Sequence, residues 1–186
     1  MRSRPPAVAG LNLFAAFLLL AAPLAAQDDN PAKQAYINDL TSVEGKYVQL
    51  AEAMPESSYS WRPGEGVRSV GDVFTHVAFA NYLFGEILGT PMPADVKAKY
   101  PNPQAFTAVT SKTEIIAMLR ASFEHGRAVV TGITDDRFNS QVKMFGRDTP
   151  FPTALLVFVT HNHEHLGQAI AYARTNKVTP PWSAGN

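Results

Sequence analysis

The sequence predicts an all-α domain folded as a four-helix bundle, and three observations support this. Four segments of about 20 residues carry apolar side chains at steps of three and four, the period of an amphipathic helix. A proline or a capping serine stands at the start of several segments, and proline- and glycine-rich stretches separate them. Four such helices with some long connections are typical of a four-helix bundle.

The first two helices are predicted from their start signals and apolar positions. The first extends from about Pro31 to Ala53, because Pro31 suits the first helical turn. Its recurring apolar residues are Ile37, Leu40, Val43, Tyr47 and Leu50. After a loop rich in proline and glycine, the hydroxyl of Ser69 can cap a second helix three residues before Asp72. This helix is predicted to reach about Leu88.

A long connection without regular structure is predicted next. Its breakers are Gly89, Pro91, Pro93, Pro101 and Pro103. The pattern from Ser111 to Glu114 is a capping box, and it predicts a third helix that ends near Gly132.

The segment between Asp135 and Pro152 carries mixed signals. It predicts an irregular loop with a possible hairpin, in which residues 141–145 form a strand and residues 146–148 the turn. The last helix is predicted from about Thr153 to Asn176, where Pro180 and Pro181 stop it.

The N-terminus has the pattern of a secretory signal peptide. Basic residues precede an apolar run from Leu11 to Leu24, and small residues follow it. We expect residues 1–26 to be removed after Ala26, leaving one domain of residues 27–186 that is exported to the periplasm or the exterior. A retained membrane anchor is the alternative, but Pro23 interrupts the run before the about 18 apolar residues that a membrane span requires.

Composition excludes some functions. The chain has no cysteine, so any thiol chemistry requires a thiol brought by the substrate. The formal net charge is zero, and removal of Arg2 and Arg4 with the signal peptide leaves 14 basic against 16 acidic residues. Without a basic stripe, nucleic acid is not an expected partner, and after cleavage neither is a membrane.

Three of the five histidines lie within five positions, at His161, His163 and His165. Residues four apart share one face of a helix, whereas residues two apart point to roughly opposite sides. His161 and His165 can therefore share one divalent ion, which needs at least a third ligand from elsewhere. The alternative for the pair is an exposed or hydrogen-bonded cluster without metal. His163 is expected to face elsewhere.

His76 is the candidate third ligand. It shares an apolar helix face with Val73, Ala80 and Leu83, where a lone imidazole is more often a hydrogen-bonded core residue. A metal held by His76, His161 and His165 would satisfy all three rings. Four more residues near the histidines are candidates for a role: Glu164 as a general base, Gln168 as a hydrogen-bond partner of a ligand or of the backbone, Gly167 as a site of close helix approach, and His125 as a neighbour of the ligands.

Together these residues resemble the signature of the DinB-like, or YfiT-like, metalloenzymes. The resemblance covers essentially the whole mature chain. It is carried by Phe74-Thr75-His76-Val77-Ala78, by His161 and His165 ahead of Gly167-Gln168, by Tyr172-Ala173-Arg174, by Pro180-Pro181 and by Trp61-Arg62-Pro63. Glu164, Leu166 and Ala173 depart from the residues that are frequent in the family, and they leave the histidine set intact.

The resemblance implies an up-down-down-up bundle, often dimeric, in which His76, His161 and His165 bind zinc or nickel and leave a position for water or substrate. Three protein ligands with an open position are typical of a catalytic site. The expected function is that of a thiol-dependent transferase or a hydrolase, acting on a small molecule that includes, for a transferase, a low-molecular-weight thiol. The alternatives are a non-catalytic metal- or ligand-binding module and a bundle that binds no metal.

Overall fold

The computed structural model describes residues 30–183 and confirms the all-α class. The helices within this part of the chain are α1 (Pro31–Ala53), α2 (Val70–Leu88), α3 (Ala94–Lys99), α4 (Pro103–Thr107), α5 (Lys112–Thr131) and α6 (Phe151–Thr175). A hairpin of β1 (Gln141–Met144) and β2 (Arg147–Pro150) precedes α6. The predicted signal peptide, residues 1–26, lies outside the described residues.

The four long helices form the bundle, in which α1 and α2 each pack on α5 and α6. Helix α1 is antiparallel to α5, α2 is parallel to α5, and α2 is antiparallel to α6. The direction of α1 against α5 is shown by the contacts Glu44–Arg127 and Glu52–Arg120. That of α2 against α5 is shown by Asn81–Ser122 and Gly85–His125. That of α2 against α6 is shown by Phe84–Phe158 and His76–His165. The up-down-down-up arrangement implied by the family resemblance is therefore confirmed. None of the helices in the described part is long and apolar enough to span a membrane.

The start of α2 is fixed by the predicted cap. The Ser69 hydroxyl accepts a hydrogen bond from the Asp72 amide, and the Asp72 carboxylate accepts one from the Ser69 amide. The end of the helix is fixed by Gly89, whose φ of 102° suits a residue without a side chain. These two signals place His76 two turns into a helix whose boundaries are locally determined.

The connection between α2 and α5 differs from the prediction, because it contains the short helices α3 and α4. Pro93 is the N-cap of α3, and Pro103 lies in the first turn of α4, where the missing amide proton breaks no hydrogen bond. Phe106 of α4 is fully buried, in contact with Phe79 of α2. Helix α6 likewise begins two residues before the predicted start, with Pro152 in its first turn.

The possible hairpin is present, but its turn lies earlier than predicted. Phe145 and Gly146 form the two-residue turn, with φ of 50° and 80°. Positive φ at both central positions gives the turn the twist that suits a two-residue hairpin. A bulky residue rarely adopts this conformation, so the sequence gives no sign that Phe145 belongs to the turn.

The interpretation of Gly167 as a site of close helix approach is wrong, since a Cβ atom there would meet no atom within 4 Å. Close approach occurs instead at Gly85, where a Cβ would lie 2.5 Å from Nε2 of His125. We expect Gly85→Ala to lower the free energy of unfolding by about 1–3 kcal/mol through overpacking. Gly167→Ala should raise it by up to about 1 kcal/mol, because alanine favours the helix more than glycine does.

Urea denaturation of the two variants measures both effects. In the Gly85→Ala/His125→Ala double variant the clashing ring is absent, so the cost should largely disappear. A Gly85→Ala variant as stable as the wild type would show that the His125 ring moves aside freely.

Candidate metal centre

The structure brings the three predicted ligands together between α2 and α6. Each of His76, His161 and His165 offers a ring nitrogen, and these atoms lie within 4.8 Å of one another. The ring centroids are 5.2 Å apart for His76 and His161, 4.7 Å for His76 and His165, and 4.5 Å for His161 and His165. His161 and His165 meet because they are one helical turn apart, and His76 meets them because α2 runs antiparallel to α6.

The other candidates lie outside this cluster. His163 is exposed, and its Nε2 lies 3.0 Å from each carboxylate oxygen of Asp39. His125 belongs to α5, and its ring packs against that of Tyr82 on α2, with a centroid distance of 5.1 Å. Glu164 is exposed, and its negative charge acts on His161 from the same helix. Its candidacy as a general base remains a prediction.

His76 and His161 are uncharged imidazoles at neutral pH. Burial, together with the positive charge of Arg68, lowers the pKa of His76 to about 3. Burial also lowers the pKa of His161 to about 4, although the nearby Glu164 opposes the shift. A metal ligand must be an imidazole without a positive charge, so this environment favours the charge state of both rings that ligation requires.

His165 is held in one orientation by its neighbours along α6. Its Nδ1 lies 2.8 Å from the side-chain oxygen of Gln168, and Nε2 of Gln168 donates to the Tyr172 hydroxyl at 3.0 Å. The Tyr172 ring packs edge-on against Trp61. Because an amide oxygen only accepts, Nδ1 of His165 carries the proton and Nε2 is left free to bind a cation. Of the two partners that the sequence leaves open for Gln168, a candidate ligand and the backbone, the structure shows the candidate ligand His165.

Arg68 also contacts the cluster, and no sequence pattern indicates it. Its guanidinium donates a hydrogen bond to Nδ1 of His76 at 3.3 Å. Arg68 lies in the loop just before the cap of α2, outside any periodic pattern, so only the fold shows that its side chain reaches a histidine eight residues ahead.

The three histidines fit a divalent transition metal. Nδ1 of His161 is buried and has no hydrogen-bond partner within the described residues. A buried polar atom without a partner costs free energy, and binding of a metal by this ring would offset that cost. The donor set contains only imidazoles, which suit zinc, nickel, copper and iron. Within residues 30–183, no fourth histidine or carboxylate joins the cluster, so a bound ion would keep an open position.

A recess of about 130 Å³ opens beside His76. It lies between α2 and α4 and is lined by Arg68, His76, Phe79, Pro103, Gln104 and Thr107. A larger cleft of about 250 Å³ lies near the start of α2 and shares Thr107 with the recess. None of the three histidines lines that cleft, so we assign the chemistry to the smaller recess, where a candidate ligand forms part of the wall.

Replacing Gln168 by leucine is expected to weaken zinc binding by about 10- to 100-fold. The substitution removes the acceptor that fixes the ring of His165, and the loss of such a partner has effects of this size. Competition titration against a chromogenic chelator measures the change. Gln49→Leu, at an exposed position on α1, is the matched control and should bind zinc as the wild type does. Equal affinities in the Gln168→Leu variant and the control would contradict this role.

Comparisons with known proteins agree with the fold. A sequence profile of the DinB superfamily matches residues 39–169. The uncharacterized protein YjoA of Bacillus subtilis (strain 168) is 22% identical over 131 residues, an alignment that covers 68% of this chain and 79% of YjoA.

Two solved structures share the architecture. A DinB-like protein from Bacillus cereus ATCC 10987 superposes with a TM-score of 0.67 at 18% identity, over 80% of this chain and 95% of that one. YfiT from Bacillus subtilis superposes with a TM-score of 0.60 at 22% identity, over 83% of this chain and 93% of YfiT. YfiT is described as a probable metal-dependent hydrolase with an unusual four-helix bundle topology. Because the profile spans more than half of the chain, this protein belongs to the DinB superfamily.

Proposed function

We propose that this protein is a metal-dependent enzyme, a hydrolase or a thiol-dependent transferase, that binds zinc or nickel through His76, His161 and His165. The observation that carries the proposal is the convergence of three ring nitrogens within 4.8 Å beside an open recess. A structural zinc site is normally closed by four protein ligands, whereas three ligands beside a recess leave room for a reacting group.

A divalent ion at this position supplies Lewis acidity, which either acidifies a water for attack on an electrophile or favours the thiolate form of a thiol substrate. The chain's own residues hold and orient the reactants. Gln168 fixes the tautomer of His165, and the apolar wall at Phe79 excludes water from one side of the recess. Glu164 is the candidate general base on α6.

Of the two reaction types, hydrolysis is favoured. The description of YfiT as a probable metal-dependent hydrolase supports it, and so does the predicted export of the mature chain, because low-molecular-weight thiols are mainly cytosolic. The chain has no cysteine, so a transferase reaction would depend entirely on a thiol from solution.

The proposal is tested on full-length protein purified without an affinity tag. Elemental analysis should find about one divalent ion per chain. Screens with ester and amide substrates, and with thiols plus electrophiles, should find turnover that needs the metal and is lost in His161→Ala. Protein without metal, or turnover unchanged by His161→Ala, would contradict the proposal. Bound metal without turnover in either screen would instead identify a metal-binding module.

Export and assembly are parts of the same proposal. Mass spectrometry of the protein from its native source should find a mature N-terminus near Gln27, since residues 1–26 have the signal-peptide pattern. Light scattering in solution should find a homodimer. Detection of an intact Met1 would contradict export with cleavage. Detection of a monomer would contradict the homodimer.

A further inference from the structure

The recess beside the candidate metal centre has one strongly basic wall. Arg68 is exposed, and its guanidinium contacts Nδ1 of His76. Among residues 30–183, Arg68 has no carboxylate partner, and the bond to His76 is its one recorded hydrogen bond. An arginine that donates to an uncharged imidazole, and not to a carboxylate, retains its full charge and most of its donors.

Ligation of a metal by His76 is incompatible with this hydrogen bond. A guanidinium only donates, so Nδ1 must accept with its lone pair, and an uncharged ring then carries its proton on Nε2. A metal ligated through Nδ1 would take the lone pair that Arg68 uses. A metal ligated through Nε2 would leave the proton on Nδ1, which could no longer accept. In both cases, His76 can bind the metal only after its hydrogen bond with Arg68 has broken.

The released guanidinium would stand in a positively charged site. The ion contributes two charges and Arg68 one, while imidazoles that ligate a metal add none. Glu164 is the acidic residue whose charge reaches His161, and it is exposed. Planar guanidinium groups bind carboxylate and phosphate oxygens through two parallel hydrogen bonds, so an oxyanion is the ligand that this combination favours.

We propose that Arg68 is a substrate-binding residue that changes partner, from His76 in the metal-free protein to an oxyanion group of the substrate in the metal-bound protein. The proposal rests on the proposed function and narrows it to small substrates that carry a carboxylate or phosphate group. The recess of about 130 Å³ has roughly four times the volume of a water molecule in the liquid, which suits such a group. Phe79 and Gln104 supply an apolar and a polar contact beside it.

Cooperative binding of metal and anion tests this proposal. Zinc affinity is measured by chelator competition at constant ionic strength, first with sodium chloride alone and then with acetate or with phosphate. In the wild type, the anion that fits should raise zinc affinity by about 5- to 150-fold, the usual range of coupling between two sites. An enhancement by acetate identifies a carboxylate, and one by phosphate identifies a phosphate.

The variant Arg68→Gln separates this proposal from a general effect of anions. Glutamine is shorter and uncharged, so the variant lacks the guanidinium that competes for His76. It should bind zinc at least as tightly as the wild type in chloride, and neither anion should raise its affinity. Arg120→Gln removes an exposed guanidinium that pairs with Glu52 on the α1–α5 face, and it should behave as the wild type.

Three results would overturn the proposal. One is an anion enhancement in Arg68→Gln equal to that of the wild type, and another is a wild type whose zinc affinity neither anion changes. In both cases zinc binding itself, and with it the proposed function, would stand. The third is a wild type that binds no zinc, nickel, copper or iron, which would overturn the proposed function together with this inference.

Discussion

Replacing His165 by alanine is expected to lower the affinity of the protein for zinc by more than about 100-fold. The substitution removes one of three imidazoles and leaves His76 and His161, which cannot hold the ion by themselves. Loss of the hydrogen-bond partner of a metal-ligating side chain lowers metal affinity by about 10- to 100-fold, so loss of the ligating side chain itself should have a larger effect. Chelator competition on metal-free protein measures the affinity, and elemental analysis of protein as purified should find little bound metal.

The matched control is His163→Ala. His163 lies two residues away on the same helix but is exposed and pairs with Asp39, on the opposite side from the cluster. An exposed pair of this kind contributes at most about 1 kcal/mol to stability, so the control should fold normally and keep its zinc affinity. Thermal unfolding of both metal-free variants checks folding. Equal zinc affinity in the two variants would contradict the three-histidine centre.

The four long helices could be predicted because their boundaries depend on local chemistry. Pro31 is the first residue of α1, where its missing amide proton breaks no hydrogen bond. Ser69 and Ser111 are the N-caps of α2 and α5, and the hydroxyl of each accepts a hydrogen bond from a backbone amide of its helix. The apolar period then shows which face of each helix enters the core. None of these signals depends on residues far away in the chain, which is why the sequence predicts them well.

The structure differs from the sequence-based prediction where a proline or a bulky residue has two possible roles. Pro93 and Pro103 have the pattern of helix breakers, yet they stand at the starts of α3 and α4. Packing of Phe106 against α2 stabilises α4, a short helix with little stability of its own. Phe145 adopts a positive φ because the hairpin requires it there. Such positions are decided by tertiary contacts and not by local preference.

The candidate site also has a part that local geometry predicts and a part that depends on tertiary packing. Helix geometry alone shows that His161 and His165 share a face, and it also shows that His163 does not. The convergence of His76 depends on the packing of α2 against α6. From the residues alone His76 is only a candidate third ligand, and the family resemblance is what implies the full set. Arg68 could not be identified, because its role depends on where a long side chain from a loop is directed once the bundle has formed.

The metal-free protein is expected to lose about 2 kcal/mol of unfolding free energy as the pH falls from about 6.5 to about 4.5. In the unfolded chain a histidine titrates near pH 6.5, whereas burial lowers the pKa of His76 to about 3 and that of His161 to about 4 in the fold. The unfolded state therefore takes up protons first. This stabilisation is fully present above about pH 6.5 and is lost progressively as the pH falls toward the folded-state pKa values. Both rings are partly exposed, so solvent screening reduces the loss below the full linkage value.

Thermal unfolding followed by circular dichroism should show the melting temperature falling by about 4–8 °C across this window. Carboxylates titrate mainly below it, near pH 3.9–4.3 in model peptides, so they contribute little to the change. In the His76→Gln/His161→Gln double variant the melting temperature should stay nearly constant, with a small residual slope from His125, whose pKa burial also lowers. A melting temperature that rises as the wild type is acidified through this window would mean that the cluster prefers protonated rings. Histidines in that state would be paired with acidic groups and could not serve as metal ligands at neutral pH.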